Sequence, residues 1–290
     1  MGDIEQAREW LAQAASLAVL TGAGISAESG VPTFRGAGGL WKDYKAEELA
    51  NPEAFAKNPK LVWEWYNWRR EIISKALPNA GHRALVEFEK RIARFTLITQ
   101  NVDGLHDRAG SGKMLKLHGD IWRMRCTVCG SNWPDRRVPL PKLPPHCQCG
   151  GLTRPNVVWF GEPLADGMMK EAEHAATSAQ VFLVIGTSAV VVPAANLIPY
   201  AKKAGAKVVE INTDETAATG LVDCALRGPW SRARSRPSPR LGHAGSHHRH
   251  GQIHRRRQRR HECQIFPRGE NRVPAAPAGA AVPGAQSAIV

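Results

Sequence analysis

Cysteine is scarce in this chain, with six residues in 290. That is too few for a disulfide framework, and four of the six cluster, which favours a metal site in a reducing compartment. Long apolar runs are also missing. None approaches the ~20 residues that a membrane span needs, so no membrane partner is expected. The opening residues, Met1-Gly2-Asp3-Ile4-Glu5, lack a basic stretch followed by an apolar one, and no secretory signal is expected. Together these absences make the cytoplasm the expected location. Lysine is absent from residues 231–290, which hold 12 Arg and two Glu and so carry +10 of the chain's +13. Residues 1–230 keep only +3, and the basic balance belongs to a tail rather than to the body.

The apolar fraction of 43% supports a sizeable core. Ser16–Leu20, Phe95–Thr99, Val181–Ile185 and Lys207–Ile211 read as short buried strands. Ile4–Ala15, Asn79–Arg94 and Ala165–Ser178 have helical spacing between them. This alternation predicts an α/β fold, a Rossmann-like parallel sheet with helices on both faces, formed by residues 1–120 and 157–230. Residues 121–156, rich in Cys, Pro and Gly, interrupt it as a small inserted module. From Ser231 onward the composition of Arg, His, Pro, Ala and Gly predicts a disordered, low-complexity tail. A phosphate-binding arm for nucleic acid is the alternative for that tail alone.

Three segments carry candidate chemistry, each at the end of an apolar stretch. In Leu20-Thr21-Gly22-Ala23-Gly24-Ile25-Ser26, glycines after a strand let backbone amides approach a pyrophosphate. The loop Ser29–Gly36 follows, with Phe34 to stack and Arg35 to meet phosphate, although an ordinary surface turn has the same composition. Thr99-Gln100-Asn101-Val102-Asp103 sits where open parallel sheets bind ligands, yet Asn and Asp also form turns. His118, in Leu117-His118-Gly119, suits a general base near neutral pH; a lone His is also often structural.

Cys126-x-x-Cys129 is followed, after seventeen intervening residues, by Cys147-x-Cys149. Four thiolates in two close pairs suit a closed tetrahedral structural zinc site. His146 and Cys149 have the usual two-residue spacing, so a site of three cysteines and His146 stays open.

The ordered set of motifs resembles the sirtuin family of NAD-dependent protein lysine deacylases. The set comprises Gly22–Ser26 with Ser29–Gly36, Gln100–Asp103, Leu117–Gly119, the cysteine module, Arg154–Glu162, Gly186-Thr187-Ser188 and Glu210-Ile211-Asn212. The resemblance covers about residues 10–230. It implies NAD as co-substrate along Gly22, Ala23, Gly24, Ser26, Thr33, Phe34, Arg35 and Trp41, with the Ala23 and Gly24 amides at the phosphates. It further implies that Gln100, Asn101 and Asp103 hold ribose and nicotinamide, and that Gly186, Thr187, Ser188, Asn212 and Trp230 contact the adenosine end. In the family's reaction the substrate acyl oxygen displaces nicotinamide. His118, with Asn101 as the second catalytic residue, then activates a ribose hydroxyl against the resulting imidate, giving lysine and O-acyl-ADP-ribose. Acyl-lysine proteins would be the partners, docked by backbone pairing along a strand at Val157–Phe160.

Trp63–Arg70 reads as a helix placing Tyr66 and Arg69 on one face. The residues alone fit a helix with an aromatic core face of Trp65, Trp68 and Ile72 and incidental Arg on its rim. In the sirtuin subgroup that removes succinyl and malonyl groups, a Tyr-x-x-Arg pair here holds the acyl carboxylate, as the chemistry of a phenol and a guanidinium fork allows.

The chain departs from the family after Leu226-Arg227-Gly228-Pro229, where a final amphipathic helix is expected and Arg/Pro/His-rich sequence follows. A changed reading frame or an unusual C-terminus would explain this. It would expose apolar sheet surface, weaken the adenine end near Trp230, and leave as alternatives an NAD- or acyl-lysine-binding protein of little activity. Mono-ADP-ribosyl transfer at the same site is a further, minor alternative.

Overall fold

The computed structural model describes residues 2–33 and 41–228. Phe34, Arg35, Trp230 and the whole basic tail lie outside the described residues, as do the expectations placed on them.

Six strands form one all-parallel sheet: β1 (Ser16–Thr21), β2 (Arg94–Thr99), β3 (Met114–Lys116), β7 (Val181–Ile185), β8 (Lys207–Asn212) and β9 (Cys224–Arg227). Their order is β3-β2-β1-β7-β8-β9, with Leu17 opposite both Phe95 and Val181. Alternate side chains of each strand enter different cores. Leu17, Val19, Leu183 and Ile185 pack under α1 (Asp3–Gln13) and α6 (Ala80–Arg91). Ala18, Leu20, Phe182 and Val184 pack under α8 (Met168–Thr177) and α9 (Leu197–Lys203). Both faces are covered, which is why these strands read as continuous apolar runs. The helical spacing overran its ends: Arg94 begins β2, and Ala165–Gly167 precede α8.

The remaining helices are α2 (Gly24–Ala27), α3 (Ala46–Leu49), α4 (Pro52–Lys57), α5 (Pro59–Lys75) and α7 (Leu105–Ala109). A second sheet, β4 (Gly119–Cys126), β5 (Asn132–Pro134) and β6 (Thr153–Val157), is antiparallel in the order β5-β4-β6. It takes in slightly more than the expected insertion of 121–156. Its core is shared with α3–α5 through Leu49, Phe55, Trp63, Trp65, Tyr66, Ile121, Trp122 and Trp159. The stretch 46–75, expected to belong wholly to the large part, therefore packs with the small sheet. Arg70 fastens the two: fully buried, it donates to the backbone carbonyl of Asp135, lies 3.4 Å from its carboxylate, and stacks 5.1 Å from the Trp122 ring centroid.

Candidate active site

The chain reverses its direction of travel across the sheet at β1, which lies between β2 and β7. A crevice opens beyond the carboxyl ends of such strands, and the loops bearing the candidate residues meet there. Gly22 N–H donates to Ile185 O at 3.0 Å and Gly24 N–H to Gly186 O at 2.7 Å. A Cβ on Gly24 would lie 2.7 Å from Gly186 O, so the glycines first permit two loop backbones to dock. The Gly24 amide, expected at a phosphate, gives its hydrogen to Gly186 O in this structure. Ala23 remains half-buried at the turn.

The loop after β2 is stitched to the same place. Gln100 Nε2 donates to Thr187 Oγ1 at 3.0 Å, and Asn101 Nδ2 donates to Gly22 O at 3.0 Å and to Ser26 Oγ at 3.3 Å. Ser26 Oγ in turn donates to Asp103 Oδ2 at 2.8 Å, while Asp103 Oδ1 accepts from Leu105 N–H at 2.7 Å. Burial raises the Asp103 carboxyl above its ordinary range; these two bonds and the nearby Arg69 oppose the rise. Asn212 Nδ2 donates to Thr187 O at 2.9 Å, which fixes the far end of the crevice. Gly22, Ala23, Gly24, Ser26, Gln100, Asn101, Asp103, Gly186, Thr187 and Asn212 are thus brought together, with Ser188 beside them in sequence. Thr33 is half-buried at the edge of the described loop. The Trp41 ring centroid lies 6.3 Å from that of Trp68 on α5.

His118 is half-buried, and its Nδ1 lies 3.0 Å from Gln100 O. A carbonyl only accepts, so Nδ1 carries the hydrogen and Nε2 keeps its lone pair. Burial lowers the imidazole pKa below 6.5, against the opposing pull of that hydrogen bond. Gly119 follows with φ +82°, and any Cβ there would strike Asn156 O, so the chain turns sharply into β4 only with glycine.

The α5 pair is buried rather than on a rim: Tyr66 is 3% exposed and Arg69 5%. Trp68, expected in the core face, is only partly buried, and Ile73 takes the place expected for Ile72. Burial raises the Tyr66 phenol above its ordinary range, and it lowers the Arg69 guanidinium from its ordinary value. Val157 ends β6, so Val158–Phe160 are not the expected strand. Val158 N–H donates to His118 O, Trp159 N–H to Glu162 Oε2 and Phe160 N–H to Ala50 O, each at 2.9 Å. Those amides are therefore engaged within the chain, and only Val157 of this segment lies in a strand.

The sequence offered no role for His82 and His106, which are fully buried behind the loops with ring centroids 4.7 Å apart. Thr21 Oγ1 donates to Thr99 Oγ1 at 2.8 Å and so accepts from His106 Nε2 at 3.1 Å; His106 Nδ1 meets no partner among the described residues. His82 lies between Asn79 and Ser26. In the sequence His82 is marked only by its place beside Leu85 and Val86 on α6, and His106, between Leu105 and Asp107, carries no such signal. Desolvation pushes their pKa values down to about 4 for His82 and about 3 for His106. Unfolded, each titrates near 6.5, so below that pH the unfolded chain binds more protons. Stability is present in full above pH 6.5 and is lost as the pH falls toward 4, at about 1.4 kcal/mol per pH unit for each group. Thermal unfolding midpoints are expected to be level between pH 8 and 7 and to drop steeply from 6 to 4.5. A level profile across both ranges would contradict the neutral buried pair.

The cysteines answer the choice of ligands. The Sγ atoms of Cys126, Cys129, Cys147 and Cys149 all lie within 4.8 Å of one another, with Cys126–Cys149 at 3.5 Å and Cys129–Cys147 at 3.7 Å. A tetrahedral zinc with ~2.3 Å bonds to sulfur requires sulfurs about 3.8 Å apart, so the four thiols fit the ion and leave it no open position. His146 turns its Nδ1 to Pro144 O at 3.1 Å instead, and the set of three cysteines and His146 is set aside.

A family model described as Sir2 family matches residues 22–193, more than half of the chain. The chain belongs to the Sir2 family. The Sir2 match begins at the first glycine of the crevice and runs through Asn101, His118, the cysteines and Thr187. An NAD-dependent protein deacylase of Aquifex aeolicus is 56% identical over 209 residues, which cover 72% of this chain and 87% of that protein. Among solved structures, a Sir2 homologue mutant in complex with 2'-O-acetyl ADP ribose matches with TM-score 0.76 and 47% identity over 79% of this chain and 92% of its own. A complex titled Sir2-p53 peptide-NAD+ matches with TM-score 0.72 and 31% identity over 80% and 95%. No helix among the described residues is long and apolar enough to cross a membrane.

Proposed function

We propose that this Sir2-family chain is an NAD-dependent protein-lysine deacylase that removes succinyl and malonyl groups as well as acetyl groups. The acyl group passes to ADP-ribose and nicotinamide is released. The observation that carries the acidic preference is the buried pair on α5: a guanidinium and a phenol hydroxyl, three residues apart and both withdrawn from water. A carboxylate entering there meets a cation in a low-dielectric setting, where charge-assisted bonds are strong.

The crevice residues fit NAD as co-substrate. Gly22, Gly24 and Gly186 keep side chains out of the loop junction, and polar groups of Gln100, Asn101, Asp103, Thr187 and Asn212 line one continuous hydrogen-bonded rim. Bound NAD supplies an electrophilic anomeric carbon. This chain's residues do the rest: Asn101 and Asp103 orient ribose and carboxamide, and His118 Nε2 takes a proton from a ribose hydroxyl. Proteins bearing acyl-lysine are the partners, as the p53 peptide of the Sir2 complex supports. A reducing cytoplasm suits the four thiols.

The test is mass-spectrometric turnover of matched succinyl-lysine and acetyl-lysine peptides with and without NAD. NAD-dependent loss of the succinyl group, faster than of the acetyl group, is expected. Turnover of neither peptide by protein that holds zinc would favour a binding protein of little activity.

A further inference from the structure

Tyr66 does not stand alone on its helix. Trp159 Nε1 donates to the Tyr66 hydroxyl at 2.8 Å, across the join between α5 and the segment after β6. The indole is itself held from both sides. Its backbone N–H is anchored on Glu162 Oε2 at 2.9 Å, and the Arg154 guanidinium lies 3.3 Å from the ring centroid. Arg154 is fixed by Glu162 through two bonds of 2.5 and 2.8 Å and by Val157 O at 2.9 Å. Phe55 closes the far side at 5.2 Å.

This geometry fixes the direction of one proton. A phenol has one hydrogen to donate and lone pairs that accept, whereas an indole N–H only donates. With Trp159 occupying a lone pair, the Tyr66 hydrogen must point elsewhere, and it meets no acceptor among the described residues. Arg69, one turn further along α5, is a cation and cannot accept it. A cation over the indole also strengthens its N–H as a donor, since density is drawn from the ring.

We infer that Trp159 is a positioning residue for acyl-group selection: its indole N–H turns the Tyr66 hydroxyl into a donor directed at the acyl carboxylate. The inference rests on the carboxylate reading of Tyr66 and Arg69. The contact lies away from the reacting carbon, so it is made equally in the ground and transition states and acts on KM rather than kcat.

Trp159→Phe keeps an aromatic ring for Arg154 and removes the donor. The KM for a succinyl-lysine peptide is expected to rise about five- to tenfold with kcat unchanged, and both constants for the acetyl-lysine peptide to stay as they are. Adding Tyr66→Phe should then cost nothing more, because the two residues act as one unit. Equal loss on both peptides, no change on either, or additive losses in the double variant would overturn the role of Trp159. A failure of the underlying reading looks different: Tyr66→Phe and Arg69→Met would then leave the succinyl-to-acetyl ratio unaltered. A second readout needs no folded variant at position 159. In 15N-labelled protein one indole N–H resonance should move upfield in Tyr66→Phe. That resonance should move downfield when succinyl-lysine peptide binds, as the phenol donates and becomes a better acceptor, and stay in place with acetyl-lysine peptide. No indole signal behaving in this way would overturn the proposal.

Discussion

Replacing His118 by asparagine is expected to lower the turnover of succinyl- and acetyl-lysine peptides alike, by ~10²- to 10⁴-fold, the range for loss of a general base. Exchange of free nicotinamide into NAD is expected to continue. The reason lies in where the imidazole is held. Its Nδ1 hydrogen is bonded to Gln100 O, so Nε2 is the basic atom, and in the proposed reaction only the step that removes a proton from a ribose hydroxyl calls on it. Displacement of nicotinamide by the acyl oxygen needs no such base. The asparagine amide can still donate toward the Gln100 carbonyl, which keeps the loop in place. Isotopically labelled nicotinamide distinguishes the two steps: loss of exchange together with turnover would show that His118 shapes the crevice instead of serving as base.

In the proposed reaction the same residue sets the pH profile. Burial lowers the His118 pKa below 6.5, and the neutral form is the one that would serve as base. The rate with unprotonated enzyme should therefore hold level as the pH falls from 8 through 6.5 and decline only below it. The buried His82 and His106 begin to weaken the fold in that same acid range, so initial rates must be measured before unfolding sets in.

What could be read before the fold was known follows from how local each signal is. Val181–Ile185 is buried on both faces, and five apolar residues in a row record that directly. β3 and β9 give no strand signal in the sequence because they are short and carry Lys116 and Arg227. The crevice was legible as three separate loops, since glycines and amides after strands have a local meaning. Their union was not, because the bonds from Gln100 to Thr187 and from Asn101 to Gly22 join residues about eighty positions apart. The α5 helix shows the limit most clearly. Its spacing allowed an aromatic face with arginines on the rim, whereas the fold buries Arg69 and Arg70 completely or nearly so. The partners that make this tolerable, Asp135 for Arg70 and a shared second core for the helix, come from a sheet that begins some fifty residues later. The cysteine pairs were clear from spacing, but choosing Cys147 over His146 required the positions of the sulfur atoms.

Arg69→Met is expected to reduce desuccinylation by about 10²-fold or more and to leave deacetylation within a few-fold of its starting value. Removing the guanidinium takes away a charge-assisted bond worth ~1.5–3 kcal/mol. It also leaves the acyl carboxylate buried without a counter-ion, a loss of ~3–5 kcal/mol in comparable settings. Neither penalty touches a substrate whose acyl group ends in a methyl. Methionine matches the length and apolar character of the arginine stem, so the stacking place against the Trp65 ring, 5.6 Å from the guanidinium carbon, remains filled. One complication has a predictable sign. Arg69 also pulls the Asp103 pKa downward, and without it the raised carboxyl would rise further. If Asp103 must be ionised to orient the co-substrate, both peptides would show a higher KM for NAD at lower pH in this variant. That effect is common to the two substrates and cancels in their ratio. Arg69→Lys provides the complementary case: it keeps the charge but not the planar fork, so part of the succinyl activity should return. An equal fall of both activities in Arg69→Met at saturating NAD would mean that the arginine supports the crevice rather than the acyl carboxylate.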